Sequence, residues 1–206
     1  MKEPVPKAVQ SQKTRRALLD SARALFAEHG YAATTTEQIV QRANVTQGAL
    51  QYHYGEKIGL FRAVFEELKT EGMQDIIEHI RTAEGDMWDR FAVEGCRAFI
   101  QDAKNPSMQR IFYIDGPAVL GASTIRENAP GLAFLRDTLT QLIDQGLVRP
   151  LPIIPLSKIL WAAFFEAGLH IAQADAASAA RAEQETLTVL LAMLSALWLG
   201  PQERPA

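Results

Sequence analysis

Hydrogen-bonding side chains are concentrated in residues 44–57, which read NVTQGALQYHYGEK. If a short helix begins after Thr46, then Gln47 and Gln51 lie one turn apart, and each amide can make paired hydrogen bonds to a base edge. Gly48 has no side chain, so another surface can approach the backbone closely there. Donors suited to phosphate groups follow at Tyr52, His53 and Lys57. The segment therefore predicts contact with nucleic acid through one face of a short helix.

Two further helices are needed to hold this short helix in place. A helix is expected over residues 11–29, with Gly30 ending it. A second, short helix follows Thr35, which begins a Thr-x-x-Gln capping box. Asn44 tolerates the left-handed conformation of a tight turn, and a longer helix begins near Glu56. This order is typical of a helix-turn-helix domain, whose second short helix enters the major groove of DNA. The alternative is three packed helices with a purely structural role.

The rest of the chain also places apolar residues at three- and four-residue steps, which indicates an all-α protein. We expect helices over about 86–103, 105–116, 124–145, 156–174 and 178–199. Gly116-Pro117 should end the second of these, and Pro130 should interrupt the third near its start, because proline removes a backbone donor. The segment RPLPIIP, residues 149–155, is expected to be a non-helical connector.

Charge separates the first sixty residues from the rest. Residues 1–60 carry eight Lys/Arg and five Asp/Glu, whereas residues 61–206 carry thirteen and nineteen. A mildly basic head on an acidic body favours a polyanionic partner for the head alone, and a solvated basic tail is the alternative. The expected domains are a flexible basic arm (1–11), a helix-turn-helix DNA-binding head (12–60), a larger helical effector-binding and dimerisation body (61–200) and a tail (201–206).

Composition and motifs argue against several other classes of protein. The 206 residues contain no apolar run of about 18 residues and no signal-peptide pattern, so we expect a cytoplasmic protein without a membrane partner. Cys96 is the single cysteine, which excludes an internal disulfide framework and a multi-cysteine metal site. The chain has no glycine-rich phosphate loop, nucleophile elbow or HExxH motif, and its four histidines are scattered. We therefore expect neither an enzyme nor a cofactor.

Residues 14–61 resemble the DNA-binding domain of TetR-family transcriptional regulators. The matching landmarks are ALFAEHGYAATTT, the ANVTQGAL turn, the aromatic-His-aromatic sequence, and Gly55 two residues before Lys57. The resemblance implies phosphate contacts at Thr35 and Thr36, a base-reading position at Glu37, a recognition-helix face of Thr46, Gln47, Gly48 and Gln51, and backbone contacts from Tyr52, His53 and Lys57. It also implies that Leu50 and Tyr54 have packing roles.

Two departures from the family pattern bear on DNA recognition. Family members usually have Tyr where this chain has Gln51, and often Lys where it has Gln47. The first change replaces a phosphate contact with a base contact or with none. The second removes a positive charge, so the nonspecific electrostatic contribution to binding should be smaller. The basic arm before Arg16 either reaches a neighbouring minor groove or is a frayed tail.

The last two predicted helices are apolar on almost every side, so they must be covered on both sides. A second copy of the chain is the expected cover, and the resemblance implies the same, with the last two long helices of each subunit forming a four-helix bundle. The expected interface residues are Leu160, Phe164, Ala167, Leu187, Leu190, Leu191, Leu194 and Trp198. The alternative is that both helices are central in a monomer. A two-fold dimer would match a palindromic operator in double-stranded DNA.

An effector pocket is expected inside the body, where the family's effectors bind and where IFYIDGPAVLG places a helix end near large side chains. The candidate residues are Trp88, Phe91, Phe112, Tyr113, Asp115, Phe134, Trp161, Phe165, Glu166 and His170. The aromatic candidates have plain core packing as their alternative. For Glu166 and His170 the alternative is a solvated polar stripe or pairing across the dimer. Two possible ligands on one helix, with no third, do not make a metal site.

These features predict a ligand-responsive repressor that leaves a palindromic operator when a small hydrophobic effector binds the body. The effector would shift the helix that begins near Glu56 and so change the separation of the two recognition helices. Tyr54 and Phe61 would help transmit the shift by packing against the head. The alternatives are a DNA-binding activator and an architectural protein without a small-molecule effector.

Overall fold

The computed structural model describes residues 7–121 and 129–200. We number the helices in these ranges α1 (Lys7–Ala33), α2 (Thr36–Ala43), α3 (Gln47–Tyr54), α4 (Lys57–Thr82), α5 (87–103), α6 (108–120), α7 (Pro130–Asp144), α8 (Ile153–Gln173) and α9 (Ala179–Ser195). These ranges contain no β-strand, and their one β-type pairing is an antiparallel bridge between Val148 and Trp198. The predicted all-α fold is confirmed.

The two short helices form because each has its own cap. Thr35 Oγ1 accepts a hydrogen bond from Gln38 N at 3.3 Å, and Gln38 Oε1 accepts one from Thr35 N at 2.8 Å. Asn44 takes the left-handed conformation, with φ 53° and ψ 46°. Thr46 Oγ1 then caps α3 by accepting from Ala49 N at 3.2 Å. The predicted capping box, left-handed turn and second cap are therefore confirmed.

One apolar core joins these helices to α4. Its fully buried members include Leu18, Ala22 and Phe26 of α1, Ile39 of α2, Leu50 of α3, and Leu60, Phe61, Val64 and Phe65 of α4. Ion pairs outside this core also join α1 to α4, with Arg16 lying 2.6 Å from Glu67 and Arg23 lying 2.6 Å from Glu71. Because α4 continues into the body, its first turns belong to the head and the rest of the helix to the body.

α1 is longer than the sequence pattern indicates. It begins at Lys7 rather than near Ser11, because no proline or glycine separates the two, so the part of the predicted flexible arm from Lys7 onward is helical. Residues 1–6 lie outside the described part of the chain. Gly30 has a positive φ of 78°, as expected of a helix-ending glycine, but helical turns resume after it as far as Ala33.

Two helices of the body contain π-helical segments. α5 comprises Met87–Asp89, the π segment Arg90–Glu94 and Gly95–Ala103, and α6 comprises the π segment Met108–Asp115 and Gly116–Leu120. The prediction that Gly116-Pro117 ends α6 is wrong. Gly116 N donates to Ile111 O, five residues back, and this wider turn accommodates a proline that an ideal α-turn would exclude.

Proline begins the next two helices rather than breaking them. α7 starts at Pro130, and the part of the prediction that falls on residues 124–128 lies outside the described residues. α8 starts at Ile153 and contains Pro155, so the prediction of a non-helical segment over 149–155 is wrong for its last three residues. The N–H groups of a first helical turn have no partner within the helix, so a proline there removes no hydrogen bond.

The last helix ends earlier than predicted, at Ser195 rather than near residue 199. The chain then pairs with the segment that follows α7, because Arg149 N donates to Leu197 O at 3.0 Å and Leu199 N donates to Leu147 O at 2.9 Å. Trp198 therefore does not lie on α9. Its ring stacks on that of Trp88, with centroids 6.0 Å apart.

Candidate nucleic-acid interface and interior cavity

The face of α3 opposite Leu50 is exposed. Leu50 is 1% exposed in the core, whereas Gln47, Gly48, Gln51 and Tyr52 are all exposed. No hydrogen bond within the described residues uses the side-chain amide of Gln47 or of Gln51. Both amides can therefore present a donor and an acceptor to a base edge, as a helix in the major groove requires.

Gly48 has no packing role among the residues that the structure describes. A Cβ atom built on it would have Thr46 Oγ1 at 3.9 Å as its nearest neighbour, which is ordinary van der Waals contact. A glycine in a helix is less favourable than alanine by about 0.5–1 kcal/mol, so an internal reason for keeping it is missing. An external surface that approaches the backbone of α3 would supply that reason.

The start of α2 is partly occupied by its own caps. The hydroxyl of Thr35 already accepts from Gln38 N, and Thr36 Oγ1 lies 3.4 Å from Glu37 Oε1. Hydrogen bonds from its own backbone N–H and from Thr35 lower the pKa of the exposed Glu37 carboxyl. Glu37 is therefore ionised at neutral pH and can only accept hydrogen bonds, which suits the amino group of a cytosine and opposes a phosphate.

The aromatic residues at the end of α3 divide into two roles. Tyr52 is 82% exposed, and its ring meets that of the half-buried His53 edge-on with centroids 5.0 Å apart. Both could reach a phosphate. Tyr54 instead donates its hydroxyl to Arg15 O at 3.0 Å, and the Arg15 guanidinium lies 6.0 Å from the ring centroid. This contact ties α3 to α1, as the predicted packing role of Tyr54 requires.

The expected phosphate contact from Lys57 needs correction. Its Nζ donates to Tyr31 O at 3.0 Å and to Thr34 O at 2.9 Å, and it lies 4.2 Å from the centroid of the Tyr31 ring. Two of its three donor positions are thus used on carbonyl groups at the end of α1. Lys57 positions the start of α4 against α1, and its ammonium is directed into the head rather than toward the exposed face of α3.

Sequence reasoning missed one exposed cation close to this surface. Arg42 lies in the last turn of α2, two residues before the Asn44 turn, and forms no ion pair with any residue of the described ranges. A single arginine carries no recognisable spacing, so only its exposure in the fold identifies it as a candidate phosphate contact.

An apolar cavity lies inside the body between α4, α5, α6, α7 and α8. The space free of protein atoms in and around it, including the part open to solvent, is about 600 Å³. Six of the ten predicted pocket residues line it: Phe91, Phe112, Tyr113, Phe134, Trp161 and Phe165. The cavity is also lined by residues that the sequence pattern did not predict for it: Met73, Ile76, Ile80, Gly95, Phe99, Gly131, Leu135 and Phe164. Met73, Ile76 and Ile80 follow each other at helical spacing on α4, and this pattern could have been found.

The other four predicted pocket residues do not line this cavity. Trp88 is 6% exposed and stacks on Trp198. Asp115 faces the head, where its Oδ2 accepts from Tyr31 N at 2.7 Å. Glu166 and His170 are exposed and line an outer groove between α8 and α9, because their helix turns its opposite side to the cavity.

The polar groups near the cavity are few. Tyr113 is 3% exposed, and burial raises the pKa of its hydroxyl far above the ordinary value. Trp161 Nε1 is buried and has no hydrogen-bond partner among the described residues. Burial, and then the nearby Asp75 carboxylate, raise the pKa of Asp102 from 3.8 to about 6. No group of three His, Cys, Asp or Glu side chains within 7–121 and 129–200 is arranged to hold a metal ion.

The outer faces of α8 and α9 carry exposed apolar side chains. Ile159 is 63% exposed, Val189 56% and Met193 38%. Three predicted interface residues, Leu160, Leu190 and Leu194, are instead at most 5% exposed in the core of the same chain, so they cannot offer surface to a partner. Phe164, Ala167, Leu187, Leu191 and Trp198 are half-buried. By length and composition alone α8 could cross a bilayer, but Lys158, Glu166 and His170 are exposed along it.

Comparison with known proteins covers both parts of the chain. Residues 18–64 match the family of bacterial regulatory proteins named tetR, and residues 88–197 match the tetracyclin repressor-like C-terminal domain. A solved TetR-family transcriptional regulator from Pectobacterium atrosepticum is 30% identical, with 96% of this chain and 100% of that chain covered and a TM-score of 0.82.

Curated relatives match shorter stretches of the chain. The "Probable acrEF/envCD operon repressor" of Escherichia coli K12 is 36% identical over 74 residues, which are 36% of this chain and 33% of that protein. The "HTH-type transcriptional repressor AcnR" of Corynebacterium glutamicum is 37% identical over 54 residues, 26% of this chain and 29% of that protein. The matched part therefore spans about a third of the length of these relatives.

Proposed function

The chain belongs to the TetR family of transcriptional regulators, and on that premise we propose that it is a repressor that leaves its operator when a hydrophobic molecule occupies the body cavity. The observation that carries the proposal is the exposed face of α3, where Gln47 and Gln51 have no partner within the described residues and Gly48 has no internal packing role. The cavity in the same chain supports the ligand-controlled part of the proposal.

Gln47 and Gln51 read bases in the major groove in this proposal. Each amide can bond two atoms of an adenine edge, and each such pair contributes about 1–3 kcal/mol of discrimination against the wrong base. Tyr52, His53, Arg42 and the hydroxyl groups of Thr35 and Thr36 contact phosphates, which fix the register of the protein on the duplex. With Lys57 used inside the head, few cations remain on this face, so binding should depend only moderately on salt.

A dimer through the outer faces of α8 and α9 supplies the two-fold symmetry that a palindromic operator requires. The support is the exposed apolar set of Ile159, Val189 and Met193, which a second copy would cover. Glu166 and His170 lie in the groove between these faces, and in this proposal they pair across the dimer. Two α3 helices would then enter successive major grooves about one DNA turn apart.

The effector in this proposal is a small hydrophobic molecule with an aromatic or aliphatic body. Nearly the whole cavity wall is apolar, and the aromatic side chains of Phe91, Phe112 and Trp161 contribute to it. Such a molecule changes DNA binding only by its different affinity for the two states of the protein. We place the protein in the cytoplasm, with the chromosome.

The experiment that tests this function is selection of bound sequences from a library of random duplexes with the purified full chain. We expect enrichment of an inverted repeat whose half-site centres lie about 10 base pairs apart, or a multiple of that distance. Failure to enrich any sequence would refute the proposed DNA recognition. A reporter gene behind the enriched sequence then separates repression from activation, and a thermal-shift screen without any stabilising compound would favour the alternative of an architectural protein without an effector.

A further inference from the structure

The helix α6 contacts both the cavity and the head. Phe112 and Tyr113, in its π-helical segment, line the cavity. Two residues further on, Asp115 Oδ2 accepts hydrogen bonds from Tyr31 N at 2.7 Å and from Arg110 Nε at 3.2 Å. A displacement of the cavity wall therefore reaches a head contact through a single turn of one helix.

Arg110 also contacts this end of α1, at Gly30. Its guanidinium lies against the backbone of Gly30, in the space that a Cβ atom would occupy. Gly30 has a φ of 78°, and the positive φ and this close approach both require glycine. The bend of α1 is thus held by two side chains of α6, one over Gly30 and one on the N–H of Tyr31.

The contact continues from Tyr31 to the start of α4, which follows α3 directly. Tyr31 O accepts from Lys57 Nζ at 3.0 Å, and the Tyr31 ring packs edge-on against Phe61 with centroids 4.9 Å apart. Lys57 is the first residue of α4, and α3 ends at Tyr54 just before it. The two hydrogen-bonding groups of the Tyr31 backbone are therefore bound from opposite sides, one by α6 and one by the start of α4.

We propose that Asp115 and Arg110 are positioning residues that couple the cavity to α3 by holding the Gly30-Tyr31 bend. This proposal rests on the proposed function, because it concerns how the cavity and the DNA-binding face influence each other. The π-helical segment Met108–Asp115 suits the role, since π segments are less regular than α-helix and occur frequently at functional sites. Binding at either site must then alter the other to the same extent.

Tryptophan emission can test this coupling without an identified effector. The three tryptophans of the chain, Trp88, Trp161 and Trp198, all lie in the body, and Trp161 lines the cavity. In a Trp88→Phe/Trp198→Phe parent, the emission of Trp161 should shift when the duplex selected from the random library binds. Anisotropy of the labelled duplex measures DNA binding independently in the same samples.

The decisive variant is Asp115→Ala, and Asp137→Ala is its control. Asp137 is an exposed carboxylate of α7 whose one ion pair within the described ranges is with its neighbour Arg136. At saturating duplex we expect the Trp161 shift to fall about fivefold or more in Asp115→Ala, to be unchanged in Asp137→Ala, and to return in part in Asp115→Asn. If Asp115→Ala loses its helical circular dichroism, Arg110→Gln serves instead and should show the same loss.

The outcomes separate the two proposals. An unchanged Trp161 shift in a folded Asp115→Ala protein that binds the duplex would overturn the coupling role. A parent that binds the duplex without any Trp161 shift would overturn it as well. If anisotropy shows no binding of any duplex, the proposed function itself fails, and the coupling proposal falls with it.

Discussion

Replacing Gly48 with alanine should make the protein more stable and its DNA binding weaker. The added methyl group meets no atom closer than Thr46 Oγ1 at 3.9 Å, so the folded state accepts it without strain. Alanine is favoured over glycine in a helix by about 1 kcal/mol, and by somewhat less in a first turn, so we expect a gain of about 0.5–1 kcal/mol. For a chain of this length, that gain raises Tm by about 1–4 °C.

The same methyl group would fill space that the proposed complex gives to DNA. Overpacking a close contact costs about 1–3 kcal/mol, which raises Kd by about 5- to 150-fold. Thermal denaturation followed by circular dichroism measures the first effect, and anisotropy of the selected duplex measures the second. Gln141→Ala, at an exposed position of α7, serves as a control that should leave Kd unchanged.

Gly48→Ala should raise stability and lower DNA affinity, so a general loss of folding cannot explain both expected results. A stabilised Gly48→Ala protein that binds the duplex as tightly as the unmodified chain would show that DNA does not approach α3 at this residue. A destabilised variant would show that the surroundings of Gly48 are not as open as described. Either result would refute the reasoning from the glycine.

Three further predictions concern Lys57, the proposed dimer and Asp102. Lys57→Ala should lower the free energy of unfolding by about 1–3 kcal/mol in a urea titration, because two carbonyl groups lose their donor; a reduced salt slope of DNA binding at unchanged stability would instead restore Lys57 as a phosphate contact. Val189→Glu, on a side chain 56% exposed, should sediment as a monomer if the proposed dimer forms through α8 and α9. Its Tm should fall, because the partner no longer stabilises the folded subunit. A persistent dimer would move the interface elsewhere. The pKa of Asp102 is raised to about 6, so the folded state binds the proton more tightly and stability falls by about 1–3 kcal/mol as pH rises from about 4 to about 6. Asp102→Asn should therefore raise Tm at pH 7.5 and change it little at pH 4, and equal effects at both pH values would contradict the buried carboxylate.

The parts of the fold that sequence reasoning predicted are those set by residues within a few positions of each other. The capping box of Thr35 spans four residues, and the Asn44 turn and the Thr46 cap follow directly after α2. Each is decided by local hydrogen bonds and by conformational preferences that the sequence displays. The buried apolar stripe at the start of α4 could also be predicted, because its helical spacing can be read from the sequence of that helix alone.

The errors arose where a distant contact overrides a local preference. The Gly116-Pro117 pair lies inside α6 because the helix widens there and because Phe65 of α4 packs within 2.7 Å of the place where a Cβ of Gly116 would lie. Trp198 leaves the last helix because residues on either side of it pair with Leu147 and Arg149, about fifty positions earlier in the chain. No pattern within a few neighbouring residues predicts such pairings.

The candidate sites follow the same division. The exposed face of α3 could be predicted because helical period and one buried residue, Leu50, determine it. The cavity was predicted in part, since large aromatic residues are found in pocket walls and in plain core alike. The positions of Glu166 and His170 depend on the orientation of α8. Because Trp161 and Phe165 face the cavity, Glu166 and His170 lie on the outer side of the helix. Residue types alone do not distinguish these two faces.

The most direct test of the account is to repeat the selection from random duplexes with Gln47→Ala and to compare its preferred sequence with that of the unmodified chain. If α3 reads DNA through this amide, one base-pair position in each half-site should lose its preference, specific binding should weaken by about 1–3 kcal/mol, and the other positions should keep theirs. The same preferred sequence, bound with the same affinity, would contradict the claim that the exposed face of α3 reads the operator.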